Sequence, residues 1–167
     1  MSRLRRLVST EKIFFVTCNL LPRVARLDRA ERTLFLQVLK SVRRRLGFRL
    51  FAYVVMPSHW HALIQPAPQQ SISSVLHSIK RNSALLLNRR RQTTGPLWQR
   101  RFFDNFLRKV RDFHEALDYI HSNPVRDGFV PLPEAWAWSS YCQYLGEGSW
   151  ERSVDPLVLP LDLHHSL

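Results

Sequence analysis

Residues 49–65 read RLFAYVVM, PS and HWHALIQ in succession, two strand-like runs separated by a proline break. Arg49 to Met56 is rich in apolar and β-branched residues, as a buried strand is, and Pro57-Ser58 interrupts it. His59 to Gln65 is a second run of the same kind, so the segment predicts two antiparallel strands joined as a hairpin. Because side chains alternate along a strand, one face of the second strand carries His59, His61, Leu63 and Gln65, and the other carries Trp60, Ala62 and Ile64.

The residues before this hairpin predict a strand followed by a helix. Ile13 to Leu20, IFFVTCNL, is short, apolar and rich in β-formers, which is typical of a buried strand. Asp28 and Glu31 have the spacing of a capping box, and an amphipathic stretch follows them. Gly47 is a natural stop for that helix, because glycine readily adopts the left-handed conformation that ends helices.

The residues after the hairpin predict a helix, a strand and a last helix. Pro66 to Gln70 is a loop, and apolar residues recur at helical spacing from Ser71 until Thr93-Thr-Gly-Pro96 ends the pattern. Phe102 to Leu107 predicts a fourth strand. A second capping-box spacing, from Asp112 to Glu115, predicts a helix that stops by Asn123, because Pro124 follows.

The element order is therefore β-α-β-β-α-β with one further helix. This order predicts an α+β, ferredoxin-like fold, in which an antiparallel sheet carries helices over one face. The expected organisation is one domain over residues 1–167, with a core at about 13–144 and an irregular tail at 145–167.

The charge balance points to a polyanionic partner. Lys and Arg number 25 against 13 for Asp and Glu, which gives a net charge of +12. Such an excess favours nucleic acid over a merely well-solvated surface, because phosphates are bound through released counterions. Cys18 and Cys142 are too few for a disulfide framework and fit a reducing compartment. No secretory signal or membrane span is apparent, so a soluble, cytoplasmic protein without membrane association is expected.

The two histidines of HWH are candidate metal ligands. Neutral imidazole binds first-row metals well, and His59 and His61 on one strand face can share one ion. Two ligands make only a partial site, however, and strand histidines are more often solvated or hydrogen-bonded. A zinc finger is excluded because matching Cys or His pairs are missing.

Tyr119 and Asn123 are candidate site residues on the last helix. They are four residues apart, so they stack on one helix face at the edge of its apolar stripe. A free phenol is a weak nucleophile at neutral pH unless a metal or a base assists it. The alternatives are a half-buried packing role for Tyr119 and a helix C-cap role for Asn123.

Four segments together resemble the REP-associated tyrosine transposases, bacterial relatives of the single-tyrosine insertion-sequence transposases in the HUH superfamily. They are YVVMPSHWHALI (Tyr53 to Ile64), LWQRRFFDNFLR (Leu97 to Arg108), LDYIHSNPVRDGFV (Leu117 to Val130) and WAWSSY (Trp136 to Tyr141). The match runs from about Ile13 to about Tyr144. The resemblance implies an RRM-like sheet in which His59 and His61 bind Mg²⁺ or Mn²⁺. It further implies that Tyr119 is the nucleophile on a catalytic helix and that Asn123 lies near the metal.

By resemblance, the chain would be a metal-dependent single-stranded DNA endonuclease and strand transferase that acts on REP-like palindromic hairpins through a 5′-phosphotyrosine intermediate. Its partners would be single-stranded or hairpin DNA, and it would act as a monomer or a homodimer. Basic residues that would contact the DNA are Lys80, Arg81, Arg89, Arg90, Arg91, Arg100, Arg101, Arg108 and Lys109. Trp136, Trp138 and Tyr141 are candidates for stacking on bases, whereas Trp98 and Phe102 are more typical of core residues.

Two other functions fit parts of the sequence. A non-catalytic module could bind DNA or RNA hairpins on an RRM-like sheet, but such sheets display aromatic residues where this chain has histidines. A phosphodiesterase with the two histidines as acid and base would need a second histidine motif, which the sequence lacks.

Overall fold

The computed structural model describes residues 12–145 and 154–155. The elements in chain order are β1 (Phe14–Asn19), α1 (Arg29–Leu46), β2 (Arg49–Val55), β3 (His59–Gln65), α2 (Ile72–Arg91), β4 (Phe103–Phe106), α3 (Val110–Arg126), a 3₁₀ turn (Pro133–Ala135) and α4 (Tyr141–Tyr144). The strands form one antiparallel sheet in the order β2-β3-β1-β4. This order is that of the split βαβ plan, and it confirms the predicted α+β fold. The tail predicted for residues 145–167 lies mostly outside the described residues.

The two sides of the sheet are covered by different helices. Trp60 is fully buried on the side where α1 and α2 pack, in one core with Val16 and Ile64. The other side packs against α3, where Phe51 and Leu63 share a second core with Phe113. The helices of the βαββαβ unit therefore cover one face, as predicted, and the last helix covers the opposite face. Among the described residues, no helix is long and apolar enough to cross a membrane.

The first helix begins and ends at the residues that its sequence predicts. The backbone N–H of Glu31 donates to Asp28 Oδ1 at 2.8 Å, and the backbone N–H of Asp28 donates to Glu31 Oε2 at 2.9 Å. Gly47 follows the helix with a φ of 71°, in the left-handed region that favours glycine. The capping box and the glycine stop are both confirmed.

The beginning of α3 differs from the prediction. Asp112 is the third residue of the helix rather than its cap, and its Oδ2 accepts hydrogen bonds from the backbone N–H groups of Arg108 and Lys109, both at 3.2 Å. Glu115 pairs instead with Arg111 at 3.1 Å. The predicted box from Asp112 to Glu115 is wrong because the acidic residue at 112 binds backward along the chain, to donors that precede the helix.

The end of α3 also differs from the prediction, which placed it at Asn123. The helix continues through Pro124 to Arg126. Gly128, with a φ of 75°, donates to Val125 O at 3.0 Å, and the next N–H donates to Pro124 O at 2.9 Å. These two bonds form a Schellman motif. Pro124 lacks only its own N–H donor, so it is tolerated in the last turn. The helix ends instead at the turn that Gly128 closes.

The WAWSSY segment protects the free edge of β2. Ser139 forms a bridge with Val54, and the N–H of Val55 donates to Trp138 O at 2.9 Å. The indole of Trp136 is buried and its N–H donates to Val55 O at 3.1 Å. Stacking of Trp136 on DNA bases is therefore excluded by burial. Trp98 is buried, as predicted for a core residue.

Candidate active site

The two histidines of β3 lie side by side on the face covered by α3. Their ring centroids are 4.8 Å apart, with His59 half-buried and His61 only 3% exposed. Trp60, between them in sequence, points to the opposite core. The alternation that the sequence predicts for this strand is confirmed, and it brings two imidazoles together on a rigid support.

Two hydroxyl groups orient the imidazoles. Thr17 Oγ1 lies 2.7 Å from His61 Nδ1, and Ser58 Oγ lies 3.0 Å from His59 Nδ1. Thr17 is the residue of β1 paired with His61 in the antiparallel register. When the ring proton is on Nδ1 and is donated to the hydroxyl oxygen, each Nε2 keeps its lone pair, which is the tautomer that a metal ligand needs.

The environment keeps both rings neutral. Burial lowers the pKa of His61 to about 3, and the neighbouring His59 adds to this effect. Burial also lowers the pKa of His59, although the Asn123 side chain and then the carboxylate of Asp127 oppose that shift. A neutral imidazole is the form that can coordinate a cation.

Asn123 completes a set of acceptors around the histidines. Its side chain is buried on α3, and it lies close enough to His59 to influence the pKa of that ring. Within the described part of the chain, no hydrogen bond of good geometry reaches Asn123 Oδ1 or His61 Nε2, although both atoms are buried. Buried acceptors without partners are costly, and a divalent cation would satisfy both at once. The residues present therefore fit a metal.

The candidate for a third protein ligand is the side-chain oxygen of Asn123. No group of three or more His, Cys, Asp or Glu residues suited to a metal occurs in residues 12–145 and 154–155. With a metal bound, two imidazole nitrogens and one amide oxygen would leave further positions open, as in sites that act on a bound substrate.

Tyr119 lies beside this set of acceptors. Its ring centroid is 5.3 Å from that of His61 and 5.8 Å from that of Phe15, and 37% of its surface is exposed. The helix therefore brings a solvent-accessible phenol to the histidine pair of β3. Tyr119 packs on Phe15, as the packing alternative requires, but its ring is exposed and one of its neighbours is a candidate metal ligand.

Four further residues belong to the site and were missed by sequence reasoning. Thr17 and Ser58 orient the histidines, Phe15 stacks on His61 with a centroid distance of 5.6 Å, and the Arg126 guanidinium carbon lies 4.9 Å from the centroid of the Tyr119 ring. Arg126 could have been found from its spacing, because it follows Tyr119 by two helical turns. The role of Thr17 depends on the pairing of β1 with β3, which no local pattern reveals.

Two of the basic residues predicted to contact DNA lie at the site end of the sheet. The N–H of Gln99 donates to Asn19 O at 2.9 Å, and Asn19 is paired with His59. Arg100 and Arg101 follow Gln99 directly and are exposed. Arg108 and Lys109 are also exposed. They lie at the other end of β4, since they follow Phe106, which pairs with Phe14 at the start of β1.

The predicted contacts on α2 lie on the opposite side of the sheet. Lys80 donates to the carbonyl oxygens of Gln99 and Arg100, at 2.6 and 3.1 Å. Arg91 forms a bidentate ion pair with Glu31, at 2.6 and 2.8 Å. Lys80 and Arg91 thus have structural partners, and their contact with DNA stays a prediction.

The other basic residues of α2 are exposed. Arg90 pairs weakly with Asp28 at 3.4 Å, and Arg89 is exposed near it. Arg81 lines a groove of about 470 Å³ between the helices, together with Arg45 and His77. This groove is on the face away from Tyr119, so it is not part of the candidate active site.

Comparisons with known proteins give a consistent result. The family model described as "Transposase IS200 like" matches residues 12–123. The REP-associated tyrosine transposase of Escherichia coli K12 is 28% identical over 149 residues, which cover 89% of this chain and 87% of that protein. A solved REP-associated tyrosine transposase bound to a REP hairpin superposes with a TM-score of 0.74 and is 26% identical, over 96% of this chain and 94% of the other.

A more distant structure supports the fold alone. A candidate transposase from Deinococcus radiodurans R1 has a TM-score of 0.52 and 20% identity, over 72% of this chain and 95% of that one. The fold is thus shared beyond the range of close sequence similarity.

Proposed function

Because this chain belongs to the IS200-like transposase family, as the resemblance of its motifs predicted, we propose that it is a metal-dependent single-stranded DNA endonuclease and strand transferase. Its substrates would be REP-like palindromic hairpins, and cleavage would proceed through a 5′-phosphotyrosine intermediate. The observation that carries the proposal is the meeting of Tyr119 with His61 from two separate elements, at a ring distance of 5.3 Å. The likeness to a solved relative bound to a REP hairpin supports hairpin DNA as the class of substrate.

The metal would be held by His59 Nε2, His61 Nε2 and Asn123 Oδ1. Mixed nitrogen and oxygen ligands suit Mn²⁺, and Mg²⁺ would keep several waters or take phosphate oxygens. When bound, such an ion would polarise the scissile phosphate and stabilise charge on its oxygens. Thr17 and Ser58 would hold the two rings in the tautomer that leaves Nε2 free.

Tyr119 would be the nucleophile. Its phenolic oxygen would attack the phosphorus, and the bond from phosphorus to the 3′ oxygen would break. The phenol would lose its proton to solvent, the 3′ oxygen would leave as a hydroxyl after it takes up a proton from solvent, and the 5′ phosphate would stay on Tyr119. Phe15 and His61 border the ring, and these contacts would help to orient the phenol for attack. The reverse attack by a 3′ hydroxyl rejoins a strand without ATP, because the phosphotyrosine bond conserves the phosphodiester energy.

The net charge of +12 would supply most of the DNA affinity. Among the predicted contacts, Arg100 and Arg101 are best placed to bind the single strand entering the site, because they lie beside the strand end that carries His59. The other predicted contacts would bind more distant phosphates.

The proposal is tested by trapping the intermediate. A labelled REP-type DNA hairpin with a single-stranded foot is incubated with the protein and Mn²⁺, and a denaturing gel shows whether a covalent adduct forms. We expect an adduct with the wild type, none with Tyr119→Phe, and a strong reduction with His59→Ala or His61→Ala. Matched controls are Tyr141→Phe and His77→Ala, which remove a hydroxyl and an exposed imidazole outside the site. Tight binding with no adduct under any divalent metal would instead support the non-catalytic hairpin-binding module.

A further inference from the structure

Arg126 lies directly against the nucleophile of the proposed reaction. Its guanidinium carbon is 4.9 Å from the centroid of the Tyr119 ring, which is a cation–π distance. The two residues are seven positions apart on α3, close to two full turns, so both side chains project from one face of the helix. The contact is therefore a direct consequence of helix geometry.

The charge of Arg126 has no counterion among the described residues. Arg43 and Arg91 are held by Asp155 and Glu31, at 2.8 and 2.6 Å. Arg126 is exposed, and no carboxylate in residues 12–145 or 154–155 lies within 4.0 Å of it. A cation that is held in place by an aromatic ring, and that is not neutralised, is suited to bind an anion.

We propose that Arg126 is a further catalytic residue, which binds a non-bridging oxygen of the scissile phosphate and holds that phosphate at Tyr119. This inference rests on the proposed function. The guanidinium presents planar N–H donors that match phosphate oxygens, while its face stays on the phenol ring. Attack by Tyr119 concentrates negative charge on the equatorial oxygens, and a fixed cation stabilises that charge more in the transition state than in the ground state.

The alternative is that Arg126 only packs on the ring. Two substitutions separate these roles. Arg126→Leu removes the charge but keeps an apolar contact with Tyr119, and Arg126→Lys keeps the charge without the planar fork. Arg111→Leu is the matched control, because Arg111 is an exposed arginine on the same helix that pairs with Glu115 rather than with Tyr119.

The measurement is the single-turnover rate of adduct formation at saturating hairpin and saturating Mn²⁺. We expect Arg126→Leu to slow this rate by about 100-fold or more and Arg126→Lys to recover part of it. We expect Arg111→Leu to stay near the wild-type rate. The Kd for the hairpin should change far less than the rate. A rate of Arg126→Leu within threefold of the wild type would overturn the proposal.

A second substrate tests the charge itself. A hairpin with a methylphosphonate at the scissile position has no negative charge on that group, so the loss caused by Arg126→Leu should largely disappear. If the variant is slowed by the same factor on both substrates, Arg126 only positions the ring and the proposal is wrong. If the wild type forms no adduct on the ordinary hairpin, the proposed function fails and this inference fails with it.

Discussion

Replacement of Thr17 by valine should weaken metal binding without changing the shape of the site. Valine keeps the branched form of threonine but removes the oxygen that lies 2.7 Å from His61 Nδ1. The ring then loses the partner that fixes its tautomer. Loss of such an orienting group lowers metal affinity by about 10- to 100-fold, which corresponds to about 1.4–2.8 kcal/mol. Because His61 is only 3% exposed, its unpaired N–H should also cost about 1–2 kcal/mol of the free energy of unfolding of the metal-free protein.

The assay is a calorimetric titration with Mn²⁺, followed by adduct rates at increasing Mn²⁺ concentration. We expect the half-saturating Mn²⁺ concentration to rise by about 10- to 100-fold, while the maximal rate at saturating metal is largely kept. Thr17→Ser is the matched control, because it retains a hydroxyl and should bind Mn²⁺ nearly as the wild type does. If Thr17→Val binds Mn²⁺ with the same affinity as the wild type, the hydroxyl does not orient a metal ligand.

Three further predictions concern the fold and the DNA contacts. Arg91→Leu should lower the free energy of unfolding by about 2 kcal/mol, because it leaves the buried Glu31 carboxylate without its ion pair. Hydrogen bonding to Arg91 lowers the pKa of Glu31, so this contribution is present above the usual glutamate pKa of 4.5 and is lost as the pH falls through the lower pKa of the folded protein. A difference in the free energy of unfolding between the two proteins that stays constant from pH 7 to pH 2 would contradict it. Gly128→Ala should lower the free energy of unfolding by about 1 kcal/mol, because a residue with a Cβ is strained at the φ of 75° found there. An unchanged midpoint of denaturant unfolding would show that Gly128 is not needed to end α3. Replacement of both Arg100 and Arg101 by alanine should reduce the slope of log Kd against log salt for a single strand by about 1.4, as measured by fluorescence anisotropy, whereas an unchanged slope would remove them from the interface.

The last helix shows where sequence patterns succeed and fail. The pattern predicts the existence of α3 and the shared face of Tyr119 and Asn123, because both follow from the repeat of the helix. It misplaces both ends. Asp112 has the spacing of a cap but binds backbone groups before the helix, and Pro124 is tolerated because the turn after it is closed by Gly128. Several residues near a helix end could each begin or end it, and only the hydrogen bonds made in the folded chain decide which of them does.

The basic residues show a second limit. Arg91 and Arg126 are both arginines near the end of a helix, and the sequence offers no reason to treat them differently. In the structure Arg91 meets Glu31, a residue 60 positions earlier, whereas Arg126 faces Tyr119 on its own helix. Whether an arginine is neutralised depends on long-range packing, so a count of charges predicts the class of partner but not the contact residues.

The amino-acid sequence alone predicts the order of the elements, the burial of Trp60, and the side-by-side placement of His59 and His61. Each of these follows from short-range periodicity, which a few residues specify. Only the tertiary structure brought the histidine pair to Tyr119, because their meeting requires α3 to cover the face of β3 opposite to α1 and α2. It also placed Thr17 beside His61, 44 residues away, through the pairing of β1 with β3. Such contacts form because the sheet buries a separate core on each of its two faces. Both cores draw on residues far apart in the chain, so no short segment specifies these contacts.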